Sequence, residues 1–198
     1  MIKRAFDIII SLLGCLLLIP LFVLIALFIR FESKGPIIFK QDRVGLNGSL
    51  FTLLKFRTMY QDSETKGTLT IGDDNRITSV GFSLRKFKID ELPQLFNVLL
   101  GNMSIVGPRP ELKKYIDSYD FETKKKILSV RPGITERASI NFIDEASLLG
   151  NKENPENYYI NEILPVKQQL HVEYVENRSF VSDFIIILQT IYRILKKK

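Results

Sequence analysis

At 198 residues the chain is long enough for one compact domain plus an anchor, and too short for two full domains. A hydrophobic content of 45% beside 25% charged residues excludes overall disorder, and the formal charge of +6 suits an acidic partner such as anionic lipid, nucleotide phosphate or nucleic acid. The single cysteine, Cys15, excludes an internal disulfide, and the single histidine, His171, has no second soft ligand near it to make a zinc site.

From Ile8 to Ile29 no side chain is charged. A straight helix of that length would cover roughly 33 Å, enough to cross a bilayer core. Pro20 falls near its middle, where it removes a backbone donor and bends a helix. Both flanks are cationic, with Lys3 and Arg4 before and Arg30, Lys34, Lys40 and Arg43 after, so the charge rule selects no orientation. A re-entrant helix and a single span kinked at Pro20 both fit these features. The organisation expected is a membrane-associated helix over 1–32 and a catalytic domain over 33–198.

Pro36 to Arg43 and Leu50 to Met59 read as strands joined at Asn47-Gly48, a strong hairpin signal because both residues tolerate positive φ. Alternation places Lys55 and Arg57 on one face of the second strand. Gln61 to Arg76 is polar and rich in Thr, Gly and Asp, the composition of a mobile loop or lid.

Asp90 is expected to cap a helix, with Pro93 tolerated in its first turn. Leu92, Leu95, Phe96, Leu99 and Leu100 follow as an amphipathic stripe, and Gly101 is the stop. Met103 to Val106 is extended and leads into the turn Pro108-Arg109-Pro110. Ile116 to Val130 has helical spacing, with Lys124, Lys125 and Lys126 in its last turns, and Arg131-Pro132-Gly133 breaks it. A further helix is expected from about Tyr158, with His171 at a surface position. The segment 179–198 has an apolar face and a cationic end; it suits a helix lying on anionic lipid, and packing onto the core is the other reading. The whole reads as a helix-rich α+β fold with an N-terminal membrane helix and a small domain containing a β-hairpin.

The chemistry concentrates in Asp90-Glu91. A carboxylate at a helix N-terminus is favoured in its ionised form, and the same place attracts phosphate. Such a carboxylate can attack phosphorus as a covalent nucleophile. Two adjacent anions repel a phosphate unless a cation intervenes, so Glu91 is a reasonable Mg²⁺ ligand. Arg109, held between prolines, could clamp phosphate oxygens, with Lys55, Arg57 and Arg85 neutralising the remaining charge. An isolated Asp-Glu pair would more often be a solvent-exposed cap.

Several linked segments raise that reading. Asp74-Asn75-Arg76-Ile77-Thr78-Ser79-Val80-Gly81, Leu84-Arg85, Ile89-Asp90-Glu91-Leu92-Pro93-Gln94-Leu95-Phe96-Asn97 and Met103-Ser104-Ile105-Val106-Gly107-Pro108-Arg109-Pro110-Glu111 closely resemble the bacterial sugar transferases, the small monotopic phosphoglycosyl transferases. Lys55-Phe56-Arg57-Thr58-Met59 and Arg131-Pro132-Gly133-Ile134-Thr135 match as well, in the right order. The resemblance implies transfer of a sugar 1-phosphate from a UDP-sugar to polyprenyl (undecaprenyl) phosphate, with release of UMP, as the first membrane step of a bacterial glycoconjugate pathway. It implies Asp90 as the nucleophile, Glu91 as the Mg²⁺ ligand, a re-entrant helix broken at a proline, and a place at the cytoplasmic face of the inner membrane. Two departures stand out: Ile19 precedes Pro20 where relatives often have Ser, and Glu136-Arg137-Ala138-Ser139-Ile140-Asn141-Phe142 replaces the more usual continuation after Thr135.

Two other classes stay open on the sequence. A glycosyltransferase releasing UDP would usually carry an Asp-x-Asp metal motif, and none is present. A basic membrane scaffold would not need the ordered Asp-Glu and Pro-Arg-Pro segments. Nucleic-acid binding is disfavoured, because no basic helix carries interleaved stacking aromatics.

Overall fold

The computed structural model describes residues 2–61, 63, 67, 69–72 and 74–196. The first element, α1 (Ile2–Glu32), is helical throughout, Pro20 included. One stripe of it, Asp7, Ser11, Cys15, Ile25 and Ile29, is buried. The opposite side exposes Ile9, Leu13, Leu17, Val23, Leu24 and Phe31. It is the one helix among the described residues long and apolar enough to cross a membrane.

Both ends of α1 are tied to the domain. Lys3 Nζ donates to the Val106 carbonyl at 3.0 Å and pairs with Asp183 at 2.5 Å. Arg4 donates to the Val98 carbonyl at 2.8 Å. Asp7 accepts from the Ser104 hydroxyl at 2.8 Å and the Ile105 N–H at 3.1 Å. At the other end Arg57 donates to the Ser33 carbonyl at 2.8 Å and to the Lys34 carbonyl, while Glu32 accepts from the Val80 N–H at 3.0 Å. A helix of about 45 Å therefore lies along the domain rather than projecting from it. Its buried side chains complete two cores: Cys15 packs with Leu53, Leu95, Val98 and Met103, and Ile25 and Ile29 pack with Phe56 and Leu84.

Strands β1 (Ile38–Val44) and β2 (Leu50–Phe56) form an antiparallel hairpin in which Ile38 faces Phe56 and Val44 faces Leu50. Asn47 at φ 55° and Gly48 at φ 80° make the turn, as their tolerance of positive φ predicts. The second strand ends at Phe56, short of the expected Met59, so Lys55 and Arg57 do not share a strand face. Met59 makes an isolated bridge to Ile77.

Helix α2 (Ser79–Lys86) starts at Thr78, whose hydroxyl accepts from the Gly81 N–H. Asp90 does not open the next α-helix. Ile89–Glu91 is a 3₁₀ turn, and α3 spans Gln94–Leu99. The reason is Pro93: it has no N–H to give to Ile89, so the chain closes with shorter bonds, Leu92 N–H to Ile89 O at 3.1 Å and Leu95 N–H to Leu92 O at 3.0 Å. The buried face of α3 is Gln94, Leu95, Asn97 and Val98, whereas Phe96 and Leu100 of the expected inward stripe are exposed. Asn97 turns inward to bond the edge of β2, accepting from the Leu54 N–H and donating to the Thr52 carbonyl. Gly101, at φ 91°, ends the helix as expected.

Strand β3 (Ser104–Val106) pairs in parallel with β4 (Gly133–Thr135). The single helix expected over Ile116 to Val130 is instead two, α4 (Lys113–Ile116) and α5 (Phe121–Ile127), because Asp120 accepts from the Thr123 N–H and starts a new helix. Short helices α6 (Arg137–Asn141), α7 (Glu145–Gly150) and α8 (Pro155–Tyr158) follow. A π-turn over Tyr159–Ile163 joins α8 to α9 (Leu164–Asn177). The last helix, α10 (Phe180–Lys196), packs onto the core along one side, the second of the two readings for this segment. It buries Asp183 and Ile186 and leaves Phe184, Leu188, Ile191 and Leu195 exposed.

The mobile loop expected over 61–76 falls partly on residues 62, 64–66, 68 and 73, which lie outside the described residues. Within the described part, Arg76 binds the Asp74 carboxylate at 2.6 Å and donates to the carbonyls of Ser63, Gly67 and Leu69.

Candidate active site

Two proline turns build the floor of the site. Gly107 and Gly133 meet back to back: a Cβ on Gly133 would lie 2.1 Å from the Gly107 nitrogen, so neither position admits a side chain. Around that contact the Gly133 N–H donates to the Pro108 carbonyl at 2.9 Å, and the Gly107 N–H to Thr135 at 3.2 Å. The parallel pair β3–β4 thus fixes Arg109 immediately beyond its end.

Arg109 Nη2 reaches Glu91 Oε1 at 2.7 Å. Lys55 Nζ, from β2, reaches the same oxygen at 2.8 Å. Three of the expected site residues, from three separate chain segments, therefore converge on one carboxylate. Burial alone would lift the Glu91 pKa, but the charges of Arg109 and Lys55 outweigh it and hold the group well below the usual carboxylate range. In return the Glu91 charge raises Arg109. Lys55 is pushed down, because its burial exceeds the gain from Glu91.

Asp90 stands differently. It is 5% exposed, and its Oδ1 is buried without a hydrogen-bond partner. Burial and the adjacent Glu91 charge raise its pKa; Lys55, Lys88 and Arg85 oppose the rise. The expected stabilisation by an α-helix N-terminus is missing, since α3 begins four residues later. Arg85 donates to the Thr70 hydroxyl at 3.0 Å, and its Nη1 is likewise buried without a partner. A buried anion and a buried cation each keep one unsatisfied polar atom, an uncommon arrangement outside functional sites.

Arg57 does not join this group. It is 6% exposed, and its Nη1 and Nη2 donate to the carbonyls just beyond α1 and not to Glu91, with Nε left without a partner. His171 is also misplaced by the sequence reading: it is 1% exposed rather than on the surface. Its Nε2 lies 2.6 Å from Glu136 Oε2, the oxygen that accepts from the Arg109 backbone N–H at 3.0 Å. Sequence reasoning missed Glu136 and Lys88 as parts of the site. The signals available were the acid directly after Ile134-Thr135 and the cation directly before Ile89-Asp90. Lys88 holds φ 57°, a left-handed conformation unusual for a side chain with a Cβ.

A cavity of about 180 Å³ opens beside Glu91 and Arg109, walled by α3, α6 and α10. Ser139, Ile140 and Ile143 line it, so the stretch that departs from the more usual continuation after Thr135 faces the site. Among the described residues there is no cluster of three or more His, Cys, Asp or Glu side chains able to hold a metal. A hard divalent cation held by one or two carboxylates, with its other oxygens from phosphate and water, is compatible with Asp90-Glu91.

The site gathers two acidic and several basic side chains beside an apolar cavity, in a domain that carries one helix long and apolar enough to cross a membrane. Residues 1–197 match the bacterial sugar transferases, and the chain belongs to that family. It is 38% identical over 98% of its length to the UDP-N-acetylgalactosamine-undecaprenyl-phosphate N-acetylgalactosaminephosphotransferase of Aeromonas hydrophila, of which it spans 44%. It is 40% identical to the sugar transferase EpsL of Bacillus subtilis, covering 98% of this chain and 87% of that protein. It is 37% identical to the UDP-glucose:undecaprenyl-phosphate glucose-1-phosphate transferase of Caulobacter vibrioides, covering 98% and 69%.

Proposed function

We propose that this chain transfers a sugar 1-phosphate from a UDP-sugar to undecaprenyl phosphate through a covalent intermediate on Asp90. The observation that carries the reading is the unequal pair at residues 90 and 91. Glu91 Oε1 is held by both Lys55 and Arg109, while Asp90 beside it keeps a buried oxygen without a partner. The names of the Aeromonas and Caulobacter relatives support the donor and acceptor classes.

In this reading an Asp90 oxygen attacks the sugar-bearing phosphorus of the donor. The bond from that phosphorus to the bridging oxygen breaks, and UMP leaves. A phosphate oxygen of the lipid then attacks the same phosphorus, the bond to Asp90 breaks, and the carboxylate is regenerated. Arg85, with its unpartnered Nη1, and Lys88 are placed to attract the phosphate oxygens, and Arg109 keeps Glu91 ionised beside them. Glu91, with the neighbouring Asp90, would hold Mg²⁺, which supplies neutralisation of the donor's phosphate charge. Arg57 is left out of the substrate contacts.

The exposed apolar faces of α1 and α10 support membrane association, and the ties at both ends of α1 support a chain that stays on one side of the bilayer; the nucleotide-sugar donor of the proposed reaction makes that side the cytoplasmic one. The test is a panel of UDP-sugars with Mg²⁺ and no acceptor. UMP should appear in an amount matching the enzyme, with the mass of a phosphosugar added to the peptide containing Asp90. UDP as the product, or full activity in Asp90→Asn, would remove the proposal.

A further inference from the structure

We propose that the cavity between α3, α6 and α10 holds the first isoprene units of the lipid acceptor, so that the acceptor's phosphate arrives at Arg109 with its chain already buried. The inference rests on the reaction proposed above and assigns a place to one of its two substrates.

The cavity touches the site directly, with Glu91 and Arg109 among its walls. Most of its other walls are aliphatic, with Leu92, Leu95, Ile134, Ile140, Ile143 and Ile194 facing the space. Three hydroxyls reach it, and all three are already committed. Thr190 donates to the Ile186 carbonyl at 2.8 Å, so Thr135 donates to Thr190 across 2.6 Å. Ser139 donates to Glu136 at 3.4 Å. A sugar or a uracil set against the aliphatic walls, away from the charged rim, would find few partners for its polar atoms and would leave them unsatisfied. A branched hydrocarbon has no such demand.

Charge sets the direction of the chain. Lys88, Arg109 and Arg193 border the cavity against the single carboxylate of Glu91, an excess of cations that suits a phosphate head and not a neutral lipid. The far wall is α10, whose outer side exposes Phe184, Leu188, Ile191 and Leu195. A chain leaving the cavity thus continues along an apolar helix face instead of entering water. The UDP-sugar is left to the Arg85 side of Asp90, which does not border the cavity.

The direct test uses the wild-type full-length chain in lipid nanodiscs, with farnesyl phosphate carrying a photoreactive diazirine in its first isoprene unit. Irradiation followed by peptide mass spectrometry should place the label on residues 134–143 and 190–194, and excess undecaprenyl phosphate should remove it. Label confined to α1, or to the outer face of α10, would overturn the assignment. As a second test, Ile140→Trp and Ile194→Trp fill the space. Each should raise the KM for undecaprenyl phosphate by roughly tenfold or more, the scale at which hydrophobic pockets discriminate. The acceptor-free release of UMP should stay at the wild-type level in both, which also shows that they fold. A fall in that release with an unchanged acceptor KM would make the cavity a donor site and sink the proposal. If the wild type forms UDP instead of UMP, the reaction itself fails, a result separate from the labelling pattern.

Discussion

Glu136 and His171 form a buried pair directly behind Arg109: their side chains approach to 2.6 Å with 3% and 1% exposure. The same Glu136 oxygen receives the Arg109 backbone N–H, so the pair connects α9 to the turn that presents the guanidinium. Burial alone would raise the Glu136 pKa; His171 and the Arg109 N–H outweigh it and hold the group below its ordinary 4.5. An acid depressed in the folded state contributes stability that is fully present above its ordinary value and lost as pH falls through the folded one. Wild-type protein should therefore lose stability below about pH 4.5 more steeply than Glu136→Gln, as read by unfolding in urea at a series of pH values. Parallel curves would show that the pair contributes nothing. Glu136→Ala removes the acceptor of the part-buried Arg109 N–H and should cost about 1–3 kcal/mol.

Arg109 and Arg57 should separate cleanly by phenotype, although the sequence reading gave both to phosphate. Arg109→Ala removes the guanidinium from Glu91 and should reduce the acceptor-free release of UMP by about 10²–10³-fold, the scale for losing a positioned donor at a charged centre. Arg109→Lys restores charge but not the planar fork and should recover only part of the rate. A rate within a factor of about two of wild type in Arg109→Ala would remove its assigned role.

Arg57→Ala should act on stability. It exposes no substrate but orphans the carbonyls of Ser33 and Lys34 at the end of α1. A loss of about 1–3 kcal/mol is expected from unsatisfied buried acceptors. Thermal unfolding in detergent, with UMP release measured well below the transition, distinguishes the two outcomes. Lost turnover in a protein of normal stability would return Arg57 to the site.

The contrast between these arginines shows what local pattern can and cannot carry. The hairpin was legible because Asn47-Gly48 states its own backbone geometry, and Glu91 with Arg109 was legible through linked segments. Arg57 was not, because alternation holds only inside a strand, and β2 stops at Phe56. The helix boundary at Asp90 failed because Pro93 interrupts the bonding that a cap at residue 90 would start. His171 looked like a surface residue on a polar helix; its partner lies on another element, 35 residues earlier in the chain, and no helical period reports such a contact. In α10 the sequence showed one apolar face with a cationic end, but not which residues pack inward; the contacts of Asp183 with Lys3 and Tyr174 decide that.

The ties at the two ends of α1 make a prediction about the membrane. Asp7 binds Ser104 and Ile105 near one end, and Glu32 binds Val80 at the other. With both ends held by one domain, the two ends are expected on the same side of the bilayer. Ile2 and Phe31 are 79% and 83% exposed, which makes Ile2→Cys and Phe31→Cys good reporters once Cys15→Ala removes the native thiol. In inverted membrane vesicles, whose cytoplasmic surface faces out, a membrane-impermeant maleimide should label both reporters. Labelling of one from outside and of the other only after lysis would show that α1 crosses, and the ties to Val80 and Ser104 could not then exist together. Asp7→Ala should leave the labelling unchanged while lowering stability by about 1–3 kcal/mol, since it strips the partner from two buried donors. That combination would separate the anchoring of α1 to the domain from its affinity for lipid.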